Sequence, residues 1–190
     1  SKQSISNEKE LVGAKLQVID ENGNIIEEWI STDKPHVIKG KLLADKTYTL
    51  HEDGAPAGYN YAEDIKFIVS KDGSSIKVVM KDKPTVVEVS KTDITGEKEL
   101  PGAHIEIKDK DGNVIEEWIT SDKPHVIEGK LEPGETYYMH EEGAPDGYGY
   151  AEDIEFKVSE DGSIDKVHMK DDTLKIKVIK WMNKTSEETD

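Results

Sequence analysis

The sequence contains no cysteine. That excludes a disulfide framework and a cysteine nucleophile, and it leaves any small domain working outside a cell in need of another stabiliser. No apolar run is long enough to span a bilayer and no charged-then-apolar leader is present, so membrane insertion is not expected. Positive charge is scarce: 25 basic against 41 acidic residues give a net charge of −16. A surface of that sign repels nucleic acid and anionic lipid, so nucleic acid is not an expected partner. There is no phosphate-cradling glycine loop and no recognisable serine, histidine and acid arrangement. No stretch has the length and period of an amphipathic helix. The chain opens on Ser1 rather than Met, as a mature protein or an excised piece would.

What the sequence does contain, it contains twice. Residues 1 to 82 lie over 90 to 171 without a gap, and most aligned positions are identical. Self-similarity at a fixed period signals a tandem array. Each unit is about 85 to 90 residues long, a size that can bury its own core. The division expected is unit one over 1–84 with a shortened opening strand, unit two over 85–172, and a segment 173–190. That segment starts like the opening strand of a further repeat or serves as a C-terminal tail.

Within each unit the apolar pattern has period two. Ile105 and Ile107 alternate with His104, Glu106 and Lys108, while Ile154, Phe156 and Val158 alternate with Glu155 and Lys157. Turn signals punctuate both copies, at Asn22-Gly23, Asp72-Gly73, Asp111-Gly112 and Asp161-Gly162, and at Pro56 to Gly58 and Pro145 to Gly147. Many short alternating strands at this spacing predict an all-β sandwich. Lys83-Pro84-Thr85 reads as a short linker, which limits the freedom of the two units and favours a semi-rigid rod.

Strand parity then singles out three charged residues per unit. Lys91 shares a face with Val87 and Val89, Glu141 with Tyr137 and Met139, and Asp171 with Val167 and Met169. In the first unit the same places fall to Lys2, to Glu52 after Tyr48 and Leu50, and to Asp82 after Val78 and Met80. An unpaired buried charge is strongly unfavourable, so the three groups should meet. Two readings follow. One is a buried salt bridge with a second carboxyl. The other is a reaction: in a water-poor core an amine loses its proton more readily and a carboxyl keeps one more readily. An amine held against a carboxyl could then form an amide, with the glutamate carrying the proton.

Other constellations carry less. His51-Glu52 and His140-Glu141 open like a zinc-protease motif, but Ala55 and Ala144 stand where the second histidine is needed. Ile107 and Trp118 occupy the end positions of an apparent EF-hand loop, which leaves a hairpin. No metal and no cofactor is expected. Trp29 and Trp118 recur in step and read as packing residues rather than a sugar or protein contact.

The run Tyr137 to Tyr148, with Glu141 followed by Ala144-Pro145 and Gly147-Tyr148, is similar to a box found in Gram-positive pilins and Cna-B (prealbumin-like, SpaA-type) surface repeats. Ser90 to Asp93, Glu99 to Ala103 and Val167 to Asp171 resemble that family's opening strand, following turn and closing strand. The resemblance implies two tandem transthyretin-like sandwiches, each with a self-formed isopeptide bond: Lys91 to Asp171 promoted by Glu141, and Lys2 to Asp82 promoted by Glu52. It also implies a structural stalk module of a surface adhesin or pilus-like protein, extracellular, at the cell wall or cell surface of a Gram-positive bacterium, with no enzymatic turnover. Its partners would be neighbouring repeats of the same protein, with any host ligand engaged elsewhere, and a monomer is expected. Many family members have asparagine as acceptor and threonine after the glutamate, where this chain has aspartates, and Asp53 and Glu142. The alternative function is an adhesive module binding a host protein or glycan. Against it, Asp33 to Ile38 recurs unchanged as Asp122 to Ile127, which suits a structural repeat better than a specialised tip. No Leu-Pro-x-Thr-Gly sorting signal occurs, so surface location is implied by the resemblance alone. Lys180 falls in register with Lys2 and Lys91.

Overall fold

A computed structural model describes residues 1–180. Among them there is no helix; thirteen strands form four sheets. In the second unit, β7 (Val86–Asp93), β10 (His125–Glu128) and β13 (Ile164–Asp171) make a three-stranded sheet in the order β10-β7-β13. Facing it is a four-stranded sheet, β12-β11-β8-β9, built from β8 (His104–Lys108), β9 (Val114–Ile119), β11 (Thr136–Gly143) and β12 (Ile154–Lys157). Every pairing in the larger sheet is antiparallel, whereas β13 runs parallel to β7. The first and last strands of the unit are thus neighbours.

The predicted alternation builds this sandwich. Val87, Val89, Ile105, Ile107, Ile127, Tyr137, Met139, Val167 and Met169 are buried between the two sheets. The residues between them on β8, β11 and β13 face outward. Trp118 packs against this core and stacks on His125 with ring centroids 4.1 Å apart; Trp29 does the same with His36 at 4.4 Å. The packing reading of the two tryptophans describes their surroundings.

The first unit repeats the larger sheet, in the order β3-β2-β4-β5, from β2 (Lys15–Asp20), β3 (Ile25–Ile30), β4 (Thr47–Gly54) and β5 (Ile65–Ile68). Its smaller sheet is cut down to β1 (Lys2–Ser4) beside β6 (Met80–Asp82), again parallel. The packing of the two units differs: the core cluster of the first holds six buried apolar residues against twelve in the second. Ile38, Leu42, Val69 and Val78 are only half-buried, while their counterparts Ile127, Leu131, Val158 and Val167 are buried.

Hydrogen bonds join the two units around Thr85. Thr85 N donates to Gly58 O at 2.9 Å and Gly129 N donates to Thr85 O at 2.9 Å, while the Thr85 hydroxyl lies 2.6 Å from Leu131 O. Gly58 has φ +75°, and a Cβ there would come within 2.2 Å of Gly129 O, so no other residue fits. Lys83 Nζ reaches across to Gly162 O at 2.5 Å. At the far end of the second unit the same pattern begins again. Gly149 N donates to Asp172 O and Leu174 N to Gly147 O. Residues 175–180 then follow outside any strand. The remainder of the 173–190 segment lies outside the described residues.

Candidate functional site

Each sandwich encloses one lysine and two carboxyls. Lys91 comes from β7 and Asp171 from the end of β13, adjacent strands of one sheet, and Glu141 comes from β11 across the core. All three are at most 2% exposed, as are Lys2 and Asp82, with Glu52 at 3%. Lys91 Nζ donates to Asp171 Oδ1 and lies 2.9 Å from Glu141 Oε1. In the first unit Lys2 Nζ donates to Asp82 Oδ1 and lies 2.7 Å from Glu52 Oε1. All six residues singled out by parity and repetition are therefore assembled, three in each unit.

The surroundings hold these groups in place. Glu141 Oε2 accepts the Ala151 amide at 2.8 Å, and Glu52 Oε2 accepts the Ala62 amide at 2.8 Å, fixing each glutamate from the loop after its strand. The lysines are held at their backbones. Lys91 N donates to Glu99 Oε2 at 3.0 Å and Lys2 N to Glu10 Oε2 at 3.1 Å, while Leu100 N and Leu11 N donate back to the lysine carbonyls. These supports escaped the sequence reading. Glu10 and Glu99 recur in step and could have been found that way; Ala62 and Ala151 act through backbone amides, which side-chain identity does not reveal.

A register shift follows each glutamate. Glu141 pairs with Ile105 and Gly143 with His104, so Glu142 is the extra residue of a β-bulge, as Asp53 is between Glu52 and Gly54. Asp53 faces outward to pair with Lys15 at 2.7 Å, and Glu142 faces His140 at 3.4 Å. The acidic residues that stand in place of the family's threonine thus point away from the buried cluster.

The electrostatics follow from burial. One lysine cation balances one carboxylate, and a second buried carboxylate would be uncompensated, so a proton on one of the acids makes the cluster neutral. Desolvation, opposed by Lys2 and reinforced by Glu52, pushes the Asp82 carboxyl up to about 6. Desolvation, opposed by Lys91 and reinforced by Glu141, pushes Asp171 up as well. Glu52 Oε1 and Asp82 Oδ2, and likewise Glu141 Oε1 and Asp171 Oδ2, are buried oxygens without a geometrically sound hydrogen bond. A proton shared between the two carboxyls of each cluster would satisfy both oxygens. The arrangement is thus an amine in contact with a carboxyl that burial makes harder to ionise than in water, beside a second buried carboxyl.

On the outer face of the larger sheet, His104, Glu106 and Glu117 lie close enough to share an ion, as do Glu106, His140 and Glu142. Glu106 already pairs with Lys108 at 2.8 Å and His140 with Asp153 at 2.7 Å, and none of these groups is buried. His51 pairs outward with Asp64 in the same way. These are solvated ion pairs on a sheet surface.

Comparison with known proteins adds the following. The family model for the SpaA prealbumin-like fold domain matches residues 1–84 and again 85–173. Among solved structures, the Bacillus anthracis TIE protein is 26% identical with a TM-score of 0.50; the match covers 91% of this chain and 33% of that one. The chain therefore spans about a third of that protein's length. The shaft pilin SpaA of Lactobacillus rhamnosus GG is 17% identical, TM-score 0.44, covering 91% and 89%. A C-terminal fragment of the pilus adhesin SpaC from the same organism is 16% identical, TM-score 0.48, covering 94% and 97%. No curated protein matches.

Proposed function

The chain belongs to the SpaA prealbumin-like fold domain family, matched by both of its halves, and from that premise we propose that it is a stalk module whose two units each close a Lys–Asp isopeptide bond. The observation that carries this reading is the contact of one buried lysine amine with both an aspartate and a glutamate, built identically twice. A structural ion pair needs one carboxyl. A second one, buried and without a countercharge of its own, serves a proton-transfer step.

The chemistry balances within the chain. A proton passes from the Lys91 ammonium to the carboxyl pair, leaving a neutral amine beside a protonated Asp171. The amine nitrogen attacks the Asp171 carboxyl carbon, and Glu141 hydrogen-bonds the acceptor oxygens. The tetrahedral intermediate loses one oxygen as water, with Glu141 moving the proton from nitrogen to the departing hydroxyl. Ammonium plus carboxylate become an amide plus one water, and no cofactor or external energy source enters. Proximity in a dry site replaces chemical activation. Lys2, Glu52 and Asp82 follow the same course.

The event occurs once per unit and leaves no turnover on a substrate, so the module is structural and not enzymatic. It would stand on the surface of a Gram-positive cell, in line with neighbouring repeats, with any host ligand bound by another part of the parent protein. Intact mass tests the chemistry. Two closed bonds leave the protein lighter than its sequence by two waters, and fragment mapping should join Lys91 to Asp171 and Lys2 to Asp82. A full sequence mass would overturn the proposal.

A further inference from the structure

The two units are built alike, but the outer face of the larger sheet carries different charges in each. In unit one Lys15 Nζ lies between Asp53 Oδ2 at 2.7 Å and Glu28 Oε2 at 3.2 Å, and Gln17 Nε2 donates to the same Glu28 oxygen at 2.7 Å. One ammonium and one amide thus serve two carboxylates. In unit two the lysine is replaced by His104 and the glutamine by Glu106, while Glu117 and Glu142 keep the two acidic places. Glu106 stands directly opposite Glu117 in the β8–β9 register, and like charges so placed repel. Lys108, where unit one has Ile19, pairs with Glu106 at 2.8 Å, so one ammonium faces three carboxylates. Without metal the cluster is held by surface ion pairs but is not balanced by them.

Imidazoles stand at the same place. Glu106, His140 and Glu142 present ligand atoms within 4.8 Å of one another, and His104 and Glu117 make a second trio with the same Glu106. His140 lies directly opposite Glu106 in the β8–β11 register, and Glu142 is the bulge residue two places on. His140 is also oriented as a ligand would be. Its Nδ1 is 2.7 Å from Asp153 Oδ1, which leaves Nε2 turned toward Glu142 Oε2 at 3.4 Å. A carboxylate behind the ring fixes the tautomer and the direction of a metal-binding histidine. Unit one repeats the His51–Asp64 pair at 2.7 Å, but there the neighbours are Gln17 and an Asp53 already paired with Lys15.

We propose that the outer face of unit two binds one divalent transition-metal ion of the zinc class through His140 Nε2, Glu106 and Glu142. Imidazole with carboxylate suits zinc, whereas calcium and magnesium take oxygen ligands. Three protein ligands on an open face leave the fourth position to water. The ion's two positive charges do for three carboxylates what Lys15 does for two in unit one. Of the two trios this one holds the ion, because His140 has its second nitrogen anchored by Asp153, while His104 meets Glu117 at 3.7 Å through the same Nε2 that would have to ligate. Bound there, the ion ties β8 to the bulge that follows Glu141. The site lies on the outer side of the sheet, away from the buried Lys91 cluster, and stands whether or not either amide forms.

Isothermal titration of the untagged full chain with zinc chloride, repeated in excess calcium chloride, tests it. The chain should bind one zinc ion, and calcium should not displace it. Glu106→Gln, which gives unit two the residue that unit one already folds with, should weaken zinc binding at least about tenfold, and so should Asp153→Asn, which removes no ligand. His104→Lys, which restores unit one's ammonium beside Glu142, should weaken it by a similar factor. His140→Ala should abolish uptake, and His51→Ala in unit one should leave it unchanged. A chain that takes up no zinc overturns the proposal. So does zinc that the Glu106→Gln variant holds as tightly as the parent, or that is lost as fully with His51→Ala as with His140→Ala.

Discussion

Replacing Glu141 with Gln removes the carboxylate while keeping its shape and its acceptor for the Ala151 amide. The remaining Lys91–Asp171 pair is then a neutral ion pair in its native place, so unit two should fold normally but stay open. The amide would close a loop whose ends lie 80 positions apart. In the chain-entropy treatment of a crosslink such a loop is worth about 4 to 5 kcal/mol at room temperature. An unfolding entropy of about 2 cal/mol/K per residue gives a unit of this size nearly 0.2 kcal/mol/K, so losing the crosslink should lower its melting temperature by about 25 °C.

Calorimetry of Glu141→Gln should therefore show unit two melting far earlier, while its intact mass falls short of its own sequence mass by one water rather than two. The double change Glu141→Gln with Lys91→Met separates the crosslink from the ion pair, because both proteins lack the amide. Retention of the mass loss in Glu141→Gln would remove the glutamate from the mechanism. Loss of the amide with an unchanged melting temperature would refute the entropic argument, because the bond formed in the parent would then carry no thermodynamic weight.

Unit one should crosslink less completely than unit two, because Lys2 is held by a three-residue strand and Lys91 by an eight-residue one; fragment mapping that finds equal, full yields would contradict this. The rate of bond closure in unit one, followed by mass on refolding, should be highest on the acid side and fall as pH rises through about 6. Before closure, folded Asp82 holds its proton more tightly than unfolded Asp82, so that contribution to stability is fully present below pH 3.8 and is lost as pH rises through about 6. Gly58→Ala should loosen the joint between units, since it adds both a 2.2 Å clash with Gly129 O and about 1 to 2 kcal/mol of positive-φ strain; faster amide exchange at Thr85 and Gly129 is the expected sign.

Much of the site was legible because a strand has period two. Lys91, Glu141 and Asp171 each sit in step with two apolar residues, and burial of that face carries the charge inward with them. Repetition supplied the rest, since Lys2, Glu52 and Asp82 recur at the same separation. Local sequence does not decide whether a segment is a strand at all. Asp33 to Ile38 is identical to Asp122 to Ile127, yet His125–Glu128 forms β10 while residues 36–39 do not. The difference is the neighbour: β10 pairs with β7, and unit one has no β7 counterpart over that stretch among the described residues. The bulges at Asp53 and Glu142 were hidden for a related reason, because an extra residue on one strand is visible only against its partner.

The position of the proposed amide would also decide what tension does to the proposed stalk. Force enters unit two at the start of β7 and leaves at the end of β13, and Lys91 and Asp171 lie on that direct route. With the bond closed, load passes from Lys91 to Asp171 through covalent atoms, and residues between them carry none. Only the stretch from Thr85 to Ser90 and its pairing with β10 and β13 can yield. With the bond absent, the 80-position span between the two residues can be drawn out, about 270 Å at full extension. Pulling single molecules by their ends should therefore give no unfolding step from unit two in the parent protein, and a step of nearly that length in Glu141→Gln. A long step in a parent protein whose mass shows both bonds closed would mean that the load runs around the crosslink, and the stalk reading would lose its physical basis.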